Sequence, residues 1–257
     1  MLHSAGTMSG YKLHAKDGNI GQVKEFFFDD RHWAIRYLVA DTGAWLPLRK
    51  VLISPYALGL ASDAEQQISV NLTKRQIEES PSLASHKPVS RQFEDAYHRY
   101  HEWPMYYGGS QLWGTYPTIS HERAPWKEPS SEKGWDPNLQ SSSAIKGYHV
   151  HATDAEIGHV EDYLIEDETW AIRYLVIDTS NWWLGKKVLL SPAWVERVSW
   201  QESQIFIQLD RERIKQAPEY TSGMSVTREY EAKLHEHYQR SGYWVESPAA
   251  TVADGDH

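Results

Sequence analysis

Trp33-Ala34-Ile35-Arg36-Tyr37-Leu38-Val39 is a stretch of seven residues that occurs a second time, unchanged, as Trp170-Ala171-Ile172-Arg173-Tyr174-Leu175-Val176. The two occurrences are 137 residues apart, and the same offset aligns residues 10–55 with residues 147–192 at 24 of 46 identical positions without a gap. Such a repeat is the signature of one folding unit present twice. The chain of 257 residues is therefore expected to hold two similar domains.

The repeat predicts five segments along the chain. Residues 1–9 are expected to be a loosely held lead-in, and residues 10–107 and 147–244 the first and second units. Residues 108–146 have the Gly, Pro and Ser content of a linker, but they also contain several tryptophans. We therefore expect an extended strap that lies over one or both units. Residues 245–257 are predicted to be a disordered tail.

Short stretches of β-branched and aromatic residues, separated by turn signals such as Asp17-Gly18, predict many short strands and hence an all-β barrel or sandwich. The repeated heptapeptide is expected to form a strand in which every second residue faces one side of the sheet. Its alternating apolar residues are predicted to form the repeated structural core. These residues are Trp33, Ile35, Tyr37, Val39, Trp170, Ile172, Tyr174 and Val176.

Two helices are expected to close each unit. Thr73 and Gln76 have the spacing of a capping box, and Asp210 can cap the equivalent helix of the second copy. A further helix is predicted over residues 90–102 and 227–240, where apolar residues recur at helical spacing. The apolar stripes of these helices are expected to pack between the two units. Their members are Tyr97, Tyr100, Leu234 and Tyr238.

The repeated motif is distinctive in its order. It reads Gly-Tyr, then Asp-x-x-Ile-Gly-x-Val, then Asp-x-x-Trp-Ala-Ile-Arg-Tyr-Leu-Val-x-Asp-Thr, then Lys-Val-Leu-Ile/Leu-Ser-Pro. Over residues 10–75 and 147–212 this pattern resembles the PRC-barrel family, named after the cytoplasmic part of the photosynthetic reaction-centre H subunit. The resemblance implies small β-barrels of about six strands that serve mostly as docking modules, and it implies no catalytic residue set.

The resemblance and the duplication together predict the fold class. We expect a mainly β protein with accessory helices, consisting of two small PRC-type β-barrels in tandem. Because a duplication within one chain mimics a symmetric dimer, the two barrels are expected to be related by a pseudo-two-fold axis.

Composition and charge exclude several classes of function. The net charge is −9, with 12 basic and 12 acidic residues in 10–107 but 10 and 16 in 147–244, so a nucleic-acid partner is not expected. The absence of cysteine excludes disulfides and thiol chemistry. No signal-peptide pattern and no apolar run of about 18 residues occurs, so we expect a cytoplasmic protein without a membrane span.

Several residues are candidates for chemistry, and each also has a structural explanation. Arg36 and Arg173 could bind an anion, but a buried guanidinium paired with carboxylates is favoured. The thirteen histidines lack a repeated set of convergent ligands, so no metal site is predicted. Glu161 and Asp162 could form an acid/base pair, although charges that protect a sheet edge are favoured.

Trp182 and Trp183 form the most conspicuous surface candidate, and the first copy has Trp45 at the equivalent position. Adjacent residues of a strand point to opposite faces, so one indole is expected to contact a partner or to pack on the linker or the other barrel. The leading hypothesis is a non-enzymatic adaptor that uses no cofactor and binds an unidentified protein. Whether the chain also assembles into a homo-oligomer is left open. The alternatives are a small-ligand-binding protein with its site between the barrels, and an enzyme that uses Glu161 and Asp162.

Overall fold

The protein was analysed as a computed structural model, which describes residues 1–47, 49–81, 83–84, 89, 91–103, 138–179 and 186–245. The described chain is mainly β with short accessory helices, as the sequence predicts. Its strands form two curled sheets, one of which is a half-barrel. The predicted disordered tail after Val245, most of the predicted linker, and the pair Trp182 and Trp183 lie outside the described residues.

The first copy of the repeat supplies most of one sheet. In chain order its elements are β1 (Leu2–Ser4), α1 (Ala5–Met8), β2 (Lys12–Ala15), β3 (Gly18–Asp29), β4 (Ala34–Asp41), β5 (Arg49–Ile53), β6 (Leu58–Ser62), β7 (Gln67–Val70), α2 (Lys74–Glu79), β8 (Leu83–Ala84) and α3 (Arg91–Tyr100). The hydrogen-bonded order is β6-β7-β2-β3-β4-β5-β8, with β2 and β7 parallel and the other pairs antiparallel.

The second copy repeats this arrangement. Its elements are β9 (Leu139–Ser141), α4 (Ser142–Ile145), β10 (His149–His151), β11 (Glu156–Glu166), β12 (Ile172–Asp178), β13 (Lys187–Leu190), β14 (Val195–Ser199), β15 (Gln204–Ile207), α5 (Arg211–Lys215) and α6 (Arg228–Tyr238). The order of the sheet is β13-β12-β11-β10-β15-β14. We call the first copy, from β1 to Trp103, the first unit and the second copy, from β9 to Val245, the second unit.

The first strand of each unit pairs with the sheet of the other unit. Strand β1 runs antiparallel to β11, with His3 opposite Ile165, whereas β9 runs antiparallel to β3, with Gln140 opposite Phe28. Each crossing strand is also anchored by a serine, because Ser4 donates a hydrogen bond to Asp162 at 2.5 Å and Ser141 donates one to Glu25 at 2.5 Å. The two crossings are therefore the same contact with the roles of the units exchanged.

The repeated heptapeptides meet in the middle of the molecule. The backbone N–H of Ile35 donates to the carbonyl oxygen of Trp170 at 2.8 Å, and that of Ile172 donates to Trp33 at 2.7 Å. Between them the fully buried Ala34 and Ala171 form an antiparallel bridge. This bridge and the two crossing strands are here called the seam. Packing across it includes Phe26 against the ring of Trp170, with centroids 6.3 Å apart.

The seam holds both tryptophans in an unusual backbone conformation. Trp33 has φ of 52° and Trp170 has φ of 54°, a left-handed region that L-residues other than glycine rarely adopt. Both indoles are buried, at 5% and 2% exposure, so packing offsets the backbone strain. The local conformation lets the chain enter the strand while its carbonyl group points at the other unit.

The predicted loose lead-in differs from the structure. Residues 2–8 form β1 and α1, and residues 139–145, which fall within the predicted linker, form β9 and α4 at the same offset of 137. The repeat therefore begins earlier than residue 10. Over these positions only Leu2 and Ser4 recur, as Leu139 and Ser141, so the sequence similarity is too weak to reveal the extension.

The prediction that alternate residues of the heptapeptide share one face is wrong in the first unit. Phe27 pairs with Tyr37 and Phe28 pairs with Ile35, so Arg36 is the extra residue of a β-bulge. Beyond the bulge the faces exchange. Trp33 and Ile35 lie in the main core, whereas Tyr37 and Val39 lie in a second cluster on the opposite side of the sheet.

The second unit has the same bulge at Arg173, between the pairs Leu164–Tyr174 and Ile165–Ile172. All eight predicted core residues are buried in both units, although they do not share one face. Their exposed fractions are 5% for Trp33, 0% for Ile35, 1% for Tyr37, 1% for Val39, 2% for Trp170, 1% for Ile172, 0% for Tyr174 and 2% for Val176.

The helices follow the predicted capping but not the predicted packing. The capping box of Thr73 and Gln76 is formed, and Asp210 caps α5, so both capping predictions are confirmed. Tyr97 instead packs edge-on against Tyr37 at 5.9 Å and donates to the carbonyl oxygen of Leu52 at 2.8 Å.

In the second unit Leu234 and Tyr238 are fully buried, and Tyr238 packs on Trp194 with centroids 4.7 Å apart. Tyr100 is 40% exposed. The contacts of Tyr97 and Tyr238 thus hold α3 and α6 each on its own unit.

We predict that Ala34→Leu destabilises the protein by about 1–3 kcal/mol, because Ala34 is fully buried and a larger side chain would overpack its surroundings. Urea unfolding measures the loss. Ala44→Leu, at an exposed turn position, is the matched control and should change the free energy of unfolding by less than about 0.5 kcal/mol. Equal stability of the two variants would contradict a tight seam.

Candidate functional site

A hollow lies on one side of the seam, between the two units. It has a volume of about 210 Å³. Asp30 and Trp33 of the first unit form one wall, and residues 195–198 and Trp200 of the second unit form the other. The hollow is smaller than the roughly 300–1,000 Å³ of typical small-molecule pockets, so it can hold a few waters or a very small ligand.

Asp30 is the distinctive ionisable group of the hollow. Burial, together with the negative charge of Asp29, raises its pKa from 3.8 to about 7, although Gln140 and Arg31 act in the opposite direction. The indole of Trp200 also donates a hydrogen bond to this carboxyl group. Asp30 is therefore poised to change its charge close to neutral pH, at a position where both units contribute to its surroundings.

The opposite side of the seam contains a histidine and two carboxylates in place of the single carboxyl group of Asp30. The buried His3 bridges two carboxylates, with Nδ1 at 2.8 Å from Asp63 and Nε2 at 3.2 Å from Asp167. Burial lowers the pKa of His3, but the hydrogen bonds to Asp167 and Asp63 outweigh that effect and raise it above its usual value. A charged network therefore fixes this side of the seam.

The two sides differ at equivalent positions of the repeat. At the offset of 137, Asp167 corresponds to Asp30, but His3 corresponds to Gln140 and Asp63 to Trp200. On one side Asp167 shares His3 with a second carboxylate, whereas on the other side Asp30 has the neutral Gln140 and Trp200 at the equivalent positions. Burial acts to raise the pKa of both carboxyl groups, but the bonds of Asp167 to His3 and to the N-terminal ammonium group lower its pKa overall, while that of Asp30 is raised.

Arg36 forms part of a buried ionic cluster, as the structural explanation of this arginine predicts. It is 1% exposed and pairs with the equally buried Glu94 of α3, and its Nη1 lies 3.5 Å from Asp29. Glu94 also accepts a hydrogen bond from the hydroxyl group of Tyr37 at 3.0 Å. The cluster fastens α3 to the face of the sheet opposite the main core.

The second unit keeps the components but pairs them differently. Arg173 donates to Glu166 through Nε at 3.0 Å and Nη2 at 2.5 Å, and its guanidinium lies 4.0 Å from the ring centroid of Tyr243. Glu231 accepts from Tyr174 at 3.0 Å, and His235 lies 3.0 Å from the same hydroxyl group. Buried arginines in both units thus act as internal ion-pair partners.

The helix partners of this cluster were not predicted from the sequence. Glu94 and Glu231 occupy equivalent positions, and each is followed four residues later by a histidine, His98 or His235. All four side chains are buried. The signal was available as a repeated Glu-x-x-x-His on one helix face, but it is short compared with the heptapeptide.

The acidic pair Glu161 and Asp162 is engaged in structural contacts. Glu161 accepts a hydrogen bond from Lys187 at 2.7 Å. Asp162 accepts from Ser4 and from the backbone N–H of Gly6, the latter at 3.0 Å, and so receives the crossing strand β1 and the start of α1. Neither carboxylate lines the hollow at the seam.

The predicted partner-binding tryptophans are only partly described. Trp45 is partly buried against the main core, and the Nζ atom of Lys74 lies 5.9 Å from its ring centroid. Trp182 and Trp183 lie outside the described residues. No group of three or more histidine, aspartate or glutamate side chains within the described ranges is arranged to hold a metal ion. Among the helices that the structure describes, none is long and apolar enough to cross a membrane.

Comparisons with known protein families and with characterised proteins find no match for this chain.

We predict that Glu94→Ala costs about 3–5 kcal/mol of stability, because it removes the carboxylate that compensates the buried Arg36. Glu231→Ala should cost less, about 1–3 kcal/mol, since Arg173 pairs with Glu166 instead. The exposed Glu236→Ala is the control on α6 and should stay within about 0.5 kcal/mol of the wild type. Chemical denaturation measures the free energy of unfolding of the three variants. Equal losses of stability in Glu94→Ala and Glu231→Ala would contradict the different pairing of the arginines in the two units.

The raised pKa of Asp30 makes a prediction about pH. Its stabilising contribution is fully present below the ordinary pKa of 3.8 and is lost as the pH rises through about 7. As the pH rises from about 5 to about 8, the free energy of unfolding of Asp30→Asn should therefore increase by about 1–3 kcal/mol relative to that of the wild type. Urea titrations across this range measure the difference. The exposed Glu168→Gln is the control. If the difference in unfolding free energy between Asp30→Asn and the wild type does not change with pH, the raised pKa of Asp30 is contradicted.

Proposed function

We propose that the protein is a non-enzymatic adaptor in which two PRC-type barrels, related by a pseudo-two-fold axis, hold protein-binding surfaces in a fixed relation. The observation that carries the proposal is the seam. Each unit donates its first strand to the sheet of the other, so the two units cannot reorient without breaking backbone hydrogen bonds. A scaffold for partners needs such a fixed geometry, and the family resemblance of the repeat supports a docking role.

The charged residues that the sequence made candidates for chemistry are also consistent with a scaffold, as far as the structure describes them. Arg36 and Arg173 are bound by internal carboxylates, and Asp162 holds the crossing strand. These groups stabilise the two-unit body rather than face a substrate. The partner is a protein, and the surface assigned to it is that of Trp182 and Trp183, with Trp45 as the equivalent residue of the first unit.

A second candidate function is the binding of a small ligand between the barrels. The hollow at the seam favours it, because residues of both units line it and Asp30 titrates near neutral pH there. Its volume of about 210 Å³ restricts the ligand to a small molecule, since a cavity of about 150 Å³ holds benzene.

The adaptor proposal predicts that the full-length protein retains a stoichiometric protein partner from native lysate and that Trp182→Ala/Trp183→Ala loses it. Each variant is first shown to have the melting temperature and circular dichroism of the wild type. Leu60→Ala, which removes a side chain that is 64% exposed on the first unit, is the matched control and should retain the partner. Trp45→Ala tests whether the first unit contributes to the same contact.

The outcomes separate the two candidates. Loss of the partner in Trp182→Ala/Trp183→Ala but not in Leu60→Ala or Trp45→Ala supports the adaptor with its contact on the second unit. If all variants retain the partner equally, the assignment of the partner-binding surface to Trp182 and Trp183 is refuted. If neither the wild type nor the variants retain a protein, the adaptor is refuted, and the ligand at the seam becomes the better explanation.

A further inference from the structure

A second and larger cavity opens on the first unit, away from the seam. Its volume is about 470 Å³, which lies within the range of roughly 300–1,000 Å³ typical of small-molecule sites. It lies between the turn that precedes β6, the residues after β7, and the C-terminal end of α3. Three aromatic and three polar side chains dominate its wall. They are Tyr56, Tyr100, Trp103, Asn71, Gln76 and Glu102.

The repeat shows that this cavity is not a requirement of the fold. Of its nine lining positions, only Leu72 has the same residue, Leu209, at the offset of 137. The largest change is at Ala57, whose counterpart is Trp194. Trp194 is 5% exposed and packs against His235 and Tyr238, with centroids 5.2 and 4.7 Å away. A small residue in the first unit thus leaves room where the second unit has an indole.

The aromatic side chains of the cavity are accessible, unlike most aromatic residues of the cores. Tyr56 is 41% exposed and Tyr100 is 40% exposed. The rings of Tyr56 and Trp103 lie side by side, with centroids 5.8 Å apart and an interplanar angle of 34°. His101 stacks behind Trp103 at 4.3 Å and fixes the indole from one side. These rings form a wall on which an apolar face of a ligand can pack.

The charge of the cavity restricts the ligand class. Burial, with a smaller effect of His98, lowers the pKa of His101 to about 4, so its imidazole is neutral at pH 7. Glu102 is then the one charged side chain among the nine lining residues. A phosphate or carboxylate ligand would meet a negative charge and no positive charge on this wall, and an anion is therefore disfavoured.

The remaining polar groups are amides and hydroxyls, which both donate and accept hydrogen bonds. The side chain of Asn71 makes no hydrogen bond within the described part of the chain, and Gln76 uses its carbonyl oxygen for the capping box, which leaves its amino group for a ligand. A quaternary ammonium ion would use the rings and Glu102 but leave both amides without a role. A ligand with several hydroxyl groups and an apolar ring face uses all of these features.

We propose that this cavity binds a neutral carbohydrate, a mono- or disaccharide whose ring packs on Tyr56 and Trp103 while its hydroxyl groups bond to Asn71, Gln76 and Glu102. The site is independent of the proposed adaptor surface, since it shares no residue with Trp45, Trp182 or Trp183. It would make the first unit the sensing half of the protein and would explain why the lining diverges so far from the second unit.

Saturation-transfer NMR on the full-length protein tests the proposal with glucose, N-acetylglucosamine and maltose as probes. At least one sugar should bind saturably with a dissociation constant of about 1 mM or below. Asn71→Ala should weaken that binding about 10-fold. Ala57→Trp should abolish it, because the new indole occupies the space that Trp194 occupies in the second unit. Gln208→Ala, the exposed counterpart of Asn71, is the matched control and should bind like the wild type.

The experiment also has outcomes that overturn the proposal. The proposal is overturned if none of the three sugars binds. It is also overturned if Asn71→Ala and Ala57→Trp both bind the sugar as strongly as the wild type does. Choline and inorganic phosphate are run in parallel, and binding of either one that depends on Asn71 and Ala57 would replace a carbohydrate by that class of ligand. If Ala57→Trp does not fold, Tyr56→Ala provides the second variant, since its ring is exposed and its loss should weaken binding about 10-fold.

Discussion

Two backbone hydrogen bonds in the middle of the molecule determine how the rest of it is arranged. They join Ile35 to Trp170 and Ile172 to Trp33, and Ala34 and Ala171 form an antiparallel bridge between them. Both alanines are fully buried, and both tryptophans have left-handed backbone. The crossing strands β1 and β9 then complete each sheet with residues of the other copy. A buried donor or acceptor left without its partner would be costly, so the two units depend on each other.

The two copies share some features and differ in others, both at the seam and away from it. The serine that anchors each crossing strand, the bulged arginine and the helix glutamate recur at the offset of 137. By contrast, one side of the seam has the bridge of His3 between two carboxylates, while the other has Asp30 in a hollow with neutral partners. The carbohydrate cavity is a second difference of this kind. In a duplicated chain, features that only one copy has are the better guide to binding, because the fold does not require them.

Sequence patterns predicted local structure well and long-range structure poorly. The strands, the capping box of Thr73 and the buried heptapeptides follow from residue types and spacing, since each depends on neighbours in the chain. The bulge at Arg36 could not be seen, because an extra residue in one strand is defined only by the register of its partner strand. The exchange of faces beyond it placed Tyr37 against Tyr97 of the same unit, which is why α3 packs on its own unit.

The sequence by itself determined that the chain contains one mainly β unit twice, because hydrophobic alternation, turn residues and the repeat offset are properties of the chain alone. It also indicated that Arg36 and Arg173 are structural. Only the tertiary structure decided which strands pair across the units, which carboxylates meet those arginines, and where cavities remain. Many of these features join groups that are far apart in the chain, such as Arg36 and Glu94 or Ser4 and Asp162, and proximity of that kind arises from folding and leaves no periodic signal in the sequence.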